Sequence, residues 1–168
     1  MLRKVGWPIT LIVLAVGGYY GWNMFGFARY HNADPKFSFR IIGGWKSEKT
    51  QVAGWTTIIF TEVVDEQKQE VLRVGYTRNT TGARSGVLKQ MATNLVIAKF
   101  QMQPSPDNNL VERTDFAGRP GYIARGTGSD RRKRPAAVFG AKEGYIFCVE
   151  SPREDYALRA ADTFKVGK

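Results

Sequence analysis

Cysteine is nearly absent from this chain. Cys148 stands alone among 168 residues, so no internal disulfide can form and thiol usage assigns no redox compartment. Histidine is equally scarce: His31 is the only one, with no second metal ligand beside it, and it reads as a polar residue at an interface. No serine stands beside a histidine in a nucleophile motif, and Gly126-Thr127-Gly128 lacks the strand-to-helix setting of a phosphate loop. Acid is in short supply, with 15 Asp and Glu against 25 Lys and Arg and a net charge of +10. The adjacent carboxylates Asp65/Glu66 and Glu154/Asp155 read as a solvated turn and as the first turn of a helix, where the helix dipole favours acids. These shortages leave no catalytic constellation and no metal cluster in the sequence, and the chain is expected not to be an enzyme. The positive excess favours anionic partners, namely lipid headgroups or an acidic protein face. Nucleic acid is disfavoured, because no basic motif alternates with exposed aromatics as a stacking platform requires.

Against these absences stands one long run without charge, Val5 to Phe27. At roughly 1.5 Å per residue, a helix of this length is just long enough to cross a hydrocarbon core of about 30 Å. Arg3 and Lys4 precede it, as they would in a secretory signal, but the apolar character persists through Trp22 and Phe27, beyond a usual signal core. The reading is an uncleaved signal anchor. Residues 1–30 form the tail and transmembrane anchor, 31–36 a connector, and 37–168 a soluble domain. Basic residues flank both ends almost equally, Arg3 and Lys4 on one side and Arg29, Lys36 and Arg40 on the other. The short amino tail favours a cytoplasmic N-terminus. That places the domain in the periplasm, on a bacterial inner or photosynthetic membrane.

Aromatic rings crowd the exit of this run: Tyr19, Tyr20, Trp22, Phe25, Phe27 and Tyr30. They fit an interfacial girdle, or alternatively packing against other membrane helices or peripheral pigment and lipid; no intrinsic cofactor is implied. Gly17 and Gly21 form a small-xxx-small spacing that permits close helix approach. Gly17, Gly21, Tyr19, Tyr20, Trp22 and Phe25 are therefore the candidate membrane-helix packing residues.

The soluble part reads as strands and two helices. Phe37–Ile42 alternates as a strand, Gly43-Gly44 turns, and Trp55–Val64 is a second extended run rich in β-branched and aromatic residues. Asp65 to Gln69 is a polar turn before a third strand over Glu70–Thr77. From Arg84 to Phe100 the period lengthens, with Leu88, Met91, Leu95 and Ala98 on one helical face. Strands resume over Leu110–Phe116 and Gly121–Arg125, separated by a turn at Gly118-Arg119-Pro120-Gly121. Two more follow over Ala136–Ala141 and Tyr145–Glu150, joined by Lys142-Glu143-Gly144. Ser151, Pro152 and Glu154 then have the spacing of a capping box, and Ala157, Ala160, Ala161 and Phe164 form the buried stripe of a closing helix. Three strands, a helix, four strands and a helix, joined by short turns, imply an α+β domain: a mostly antiparallel sheet flanked by helices. Cys148 falls in an apolar strand as a small buried hydrophobe.

The sharpest local feature is Arg131-Arg132-Lys133-Arg134. Adjacent cations repel one another, so the run either projects into solvent as a hairpin tip or meets an acid. As a candidate contact, all four residues would dock on lipid phosphate or an acidic protein surface.

The order of elements resembles the Mog1/PsbP-type fold, whose photosynthetic members are extrinsic subunits of oxygen-evolving photosystem II. Phe37-Ser38-Phe39, the Gly44-Trp45 pair, Gly118-Arg119-Pro120-Gly121-Tyr122, and the hairpin ending Gly144-Tyr145-Ile146-Phe147-Cys148-Val149 before Ser151-Pro152 carry the resemblance across residues 37 to 166. Ile42-Gly43 departs from it, standing where such sequences often have proline. The resemblance implies a binding or scaffold domain without catalysis. With the anchor, the expectation is an accessory subunit that stabilises a larger membrane complex, with a bacterial photosynthetic reaction-centre assembly as the setting. The alternative is an envelope-anchored protein that binds a small apolar molecule.

Overall fold

A computed structural model describes residues 26–80, 82, 85–103 and 110–167. The elements are β1 (Phe27–Asn32), β2 (Phe37–Ile42), β3 (Lys46–Val52), β4 (Trp55–Val64), β5 (Gln67–Arg78), α1 (Ser85–Ala98), β6 (Val111–Phe116), β7 (Arg119–Arg125), β8 (Ala136–Lys142), β9 (Tyr145–Ser151), α2 (Glu154–Asp162) and β10 (Lys165–Val166). A seven-stranded sheet has the order β3-β4-β5-β9-β8-β7-β6, and a second sheet has the order β1-β2-β10. Every ladder is antiparallel.

Two-residue turns set this topology. Ala53-Gly54, Asp65-Glu66, Ala117-Gly118 and Glu143-Gly144 each place both residues at positive φ. That is the requirement of a hairpin turn whose twist matches the flanking strands. The turns explain two shifts from the sequence reading. The polar segment after Val64 shrinks to Asp65-Glu66, and β5 begins at Gln67 rather than Glu70. The turn expected at Gly118–Gly121 lies at Ala117-Gly118, leaving Pro120 inside β7 opposite Asp115. There the missing proline N–H costs no ladder bond to β8, whose pairing begins at Tyr122.

One face of the large sheet is covered by α2 and the small sheet together. Alternate residues of β2, β4, β5 and β9 point into the space between them. Phe39, Phe60, Phe116 and Phe147 are fully buried there, and Phe37 and Phe164 nearly so. The rings interlock: Phe164 lies 4.8 Å from Phe116 and 5.3 Å from Phe39, centroid to centroid. Burying each such ring contributes about 1.5–3 kcal/mol. Two glycines make room for this core. A Cβ at Gly140 would fall 2.2 Å from the Phe116 ring, and one at Gly121 would fall 2.5 Å from the Phe139 carbonyl oxygen.

The other face is covered by α1 through Leu88, Ala92 and Val96. That helix packs over β6, β7 and β8. Among the described residues, no helix covers the β3–β5 half of this face. Trp55, Thr57 and Ile59 are half-buried there, and Val63 is exposed.

Three strands escaped the sequence reading, and one of them redraws a boundary. Phe27–Asn32, assigned to the end of the anchor and the start of a connector, is β1, paired along its whole length with β2. Tyr30, expected among the interfacial rings, instead packs on Phe60 in an edge contact at 5.0 Å. Of the expected connector only residues 33–36 form a turn. Residues 1–25, which include the greater part of the expected anchor and all of its packing candidates, lie outside the described residues. No helix among the described residues is long and apolar enough to cross a membrane.

Candidate docking surfaces

The start of α2 organises the most heavily charged region. Ser151 was expected to cap this helix with Glu154 returning the bond; the structure corrects both assignments. β9 runs through Ser151, whose hydroxyl donates to the Val71 carbonyl at 2.6 Å. Val71 is the extra residue at the bulge between β4 and β5, so this bond serves a carbonyl beside a gap in the ladder. The Ser151 hydroxyl also accepts from the Arg153 N–H at 3.1 Å. The N-cap is Arg153, which makes no side-chain cap.

The basic loop caps the helix in place of a side chain. The Glu154 N–H donates to the Arg134 carbonyl at 2.8 Å, and the Asp155 N–H to the Arg131 carbonyl at 3.4 Å. Two N–H groups that a helix start leaves without intrahelical partners are thus met by loop backbone.

The Glu154 side chain completes the junction. Expected as a solvated, dipole-stabilising acid, it has 0% exposure. Arg125 Nε donates to its Oε1 at 3.0 Å and Arg134 Nε to its Oε2 at 2.6 Å; a second Arg134 nitrogen also pairs with Oε2. Arg131 Nε stands 3.9 Å from Oε1. Arg125 continues the network to Glu112 at 2.6 Å. Burial pulls the Arg125 guanidinium pKa down, but hydrogen bonds to Glu154 and Glu112 outweigh that and leave it above its ordinary value. Asp155 pairs with Arg153 through two bonds, at 3.1 and 2.8 Å.

The run read as four equivalent cations is therefore divided. Arg134 is a structural residue, tied to Glu154 and to the Gly128 carbonyl at 3.2 Å. Arg131 is exposed but directed toward the same acid. Arg132 and Lys133 are exposed, their backbone held by Asp130: its carboxylate accepts from the Arg132 N–H at 2.9 Å and its carbonyl from the Lys133 N–H at 3.0 Å. Glu154 was visible in the sequence only as a first-turn and capping-box acid. The charge of the run did call for an acid; what the sequence did not show is that this acid lies 20 residues beyond Arg134 in the same chain.

A second feature lies on the half of the large sheet that no described helix covers. A cleft of about 230 Å³ is lined by Trp55, Thr57, Arg73, Gly75, Phe139, Cys148 and Glu150. The Trp55 ring lies on Gly75, where a Cβ would approach it to 3.2 Å. The charges at its margin are already paired, Arg73 with Glu70 at 3.0 and 2.8 Å and Glu150 with Lys99. Cys148, expected as a small buried hydrophobe, is half-buried at this cleft; desolvation there pushes its thiol well above its ordinary value, with the Glu150 charge adding to the shift. His31 is exposed on β1. Among the described residues no three potential metal ligands cluster.

No family model and no curated protein matches the chain. Solved structures do. The solution structure of cyanobacterial PsbP (CyanoP) from Synechocystis sp. PCC 6803 aligns with a TM-score of 0.57 and 17% identity, over 85% of this chain and 94% of that one. At that identity the likeness is one of fold, and the described domain has a PsbP-like fold.

Proposed function

We propose that this chain is a membrane-anchored, non-catalytic accessory subunit that braces a larger membrane protein complex. The observation that carries the reading is continuity. The uncharged run ends at Phe27, and β1 begins at Phe27. A domain joined without a linker stays at the membrane surface, as a brace must. The loop at Arg132 and Lys133 supplies a cationic contact for an acidic subunit face, because its neighbours are fixed by Glu154. The PsbP-like fold favours a photosynthetic setting, with the domain in the periplasm beside a reaction-centre assembly. Gly17, Gly21 and the rings of Tyr19, Tyr20, Trp22 and Phe25 pack the anchor against neighbouring helices.

Native capture of the full chain from mild-detergent membranes, followed by an absorption spectrum, tests this. Stoichiometric membrane subunits with pigment bands support the whole reading. Subunits without pigment keep the brace and remove the photosynthetic setting. A lone chain refutes the brace.

A second reading is favoured by the Trp55 cleft: a neutral, flat, apolar molecule would rest on Trp55 and Phe139 without disturbing the ion pairs around it. A co-purifying ligand with no protein partner would select this reading.

A further inference from the structure

We infer that the corner of the domain where β1 begins is a lipid-phosphate contact surface, with Arg29, Arg40 and Arg159 as its phosphate ligands. This rests on the anchored reading above and adds to it the surface that faces the bilayer. Arg29 and Arg40 stand directly opposite each other on β1 and β2, and both are exposed. Opposed residues of antiparallel strands hold their Cβ atoms about 5 Å apart, and like charges placed there destabilise the pair. Among the described residues no acid relieves the repulsion. The Arg29 guanidinium donates to the neutral Ser38 hydroxyl, at 3.1 Å. Arg40 spends its backbone N–H on the Thr163 hydroxyl at 2.9 Å, and its guanidinium pairs with no acid among the described residues. The Arg159 guanidinium lies over the Phe27 ring, 4.8 Å from its centroid, at the point where the uncharged run ends. Among the described residues none of the three forms an ion pair. Asp155 and Asp162 line a shallow cleft with Arg159. Asp155 is committed to Arg153.

Distance selects lipid over protein as the occupant. The headgroup layer adds roughly 5–8 Å on each side of the hydrocarbon core. Arg29 lies two residues along β1 from Phe27, about 7 Å. A domain attached at Phe27 without a linker therefore carries these guanidiniums at phosphate depth, and a planar guanidinium can donate to a phosphate with two parallel bonds. Three such contacts near an anionic surface favour the docked orientation on the order of a hundredfold.

The test uses the full chain, with Cys148→Ala, reconstituted in vesicles of phosphatidylcholine alone or with phosphatidylglycerol, each carrying a trace of nitroxide-headgroup lipid. A fluorophore is placed at Ala28→Cys, beside the corner, or at Ala33→Cys, at the far end of the β1–β2 hairpin; both positions are exposed. Quenching at position 28 should exceed that at position 33 by about threefold or more in anionic vesicles, and less in neutral ones. It should fall toward the neutral value in Arg29→Gln/Arg40→Gln/Arg159→Gln and persist in the corresponding triple Lys variant, with circular dichroism confirming the fold of both. Equal quenching at the two positions, indifference to phosphatidylglycerol, or indifference to the Gln variant overturns the inference while leaving the anchor intact. Quenching that arises only after an acidic membrane protein is added assigns the corner to protein and also overturns it. Release of the chain from vesicles by alkaline carbonate refutes the anchored reading, and the lipid contact falls with it.

Discussion

Replacing Glu154 with Gln removes the one acid around which α2, β7 and the basic loop are joined. Its two oxygens receive Arg125 at 3.0 Å and Arg134 at 2.6 Å, and its side chain has no exposure. The amide of Gln keeps one acceptor but turns its NH2 toward an arginine that can only donate. Breaking a buried charge pair costs about 3–5 kcal/mol. Two features move this case to the lower end: Arg125 retains Glu112, and the Arg134 side chain is 21% exposed and can turn to water. About 3 kcal/mol is expected, or roughly 6–12 °C in midpoint for a domain of this size. The assay is thermal unfolding of the full chain in detergent, followed by circular dichroism. Arg134→Gln should fall in the same range. The double substitution should cost less than the sum by about 1–3 kcal/mol, because the two side chains meet. Arg132→Gln should stay within about 0.5 kcal/mol of the parent. Added salt should change the Glu154 effect little, since buried pairs are weakly screened. A loss under about 2 °C for Glu154→Gln, or an equal loss for Arg132→Gln, would refute the division of the basic run into structural and free cations.

Gly140→Ala should destabilise by about 3 kcal/mol or more in the same assay, because its Cβ would enter the buried Phe116 ring; Gly86→Ala, in α1 with nothing within 4 Å, should instead stabilise by about 0.5–1 kcal/mol. Cys148 should react slowly with a thiol reagent at pH 8 and show no rise through the ordinary thiol pKa of 9.0, since burial keeps it protonated. Its linkage has a definite sign: the unfolded thiol ionises first, so stability falls as pH rises through about 9, and a Cys148→Ala variant that keeps the same alkaline loss would contradict this. Asp162 is pushed above the ordinary carboxylate range by burial, with Asp115 adding to the shift. Ionisation therefore costs the folded state, and because the carboxylate is largely exposed and screened by solvent, Asp162→Asn should raise the midpoint only slightly at pH 7, with no gain at pH 3.

Strands that bury alternate residues were legible in the sequence to within a few residues. Trp55–Val64 begins and ends where its β-branched run does, because Ile58 and Phe60 face the core and the turn residues bracket it. The Leu88 stripe gave α1, but the face the helix buries is Leu88, Ala92 and Val96, turned from the expected one, with Met91 and Leu95 half-buried and Ala98 exposed. β3 was not legible. Lys-Ser-Glu-Lys-Thr-Gln-Val carries no apolar alternation, and nearly all of it is exposed. It is a strand because the Ala53-Gly54 turn folds it back on β4, and its lysines suit a free sheet edge. β1 was hidden differently, since its first residue closes a run whose lack of charge dominates any local reading. The Glu154 network was illegible because it joins residues 20 and 29 apart through a loop whose path no periodicity records.

The same nine-residue helix connects the two basic features. Its first residue grips the loop through Glu154, and Arg159, five residues later, lies on Phe27. Five residues of helix span about 7.5 Å. Neither contact can shift without moving the other, because Ala157, Ala160 and Ala161 between and beyond them are buried against the aromatic core. The loop that carries Arg132 and Lys133 is therefore held in a fixed position relative to Phe27. On the proposed anchored reading, with the cations around Phe27 at lipid phosphate, a loop fixed to α2 would present Arg132 and Lys133 in one orientation, where a flexible basic tail would not, and one orientation is what a bracing subunit requires.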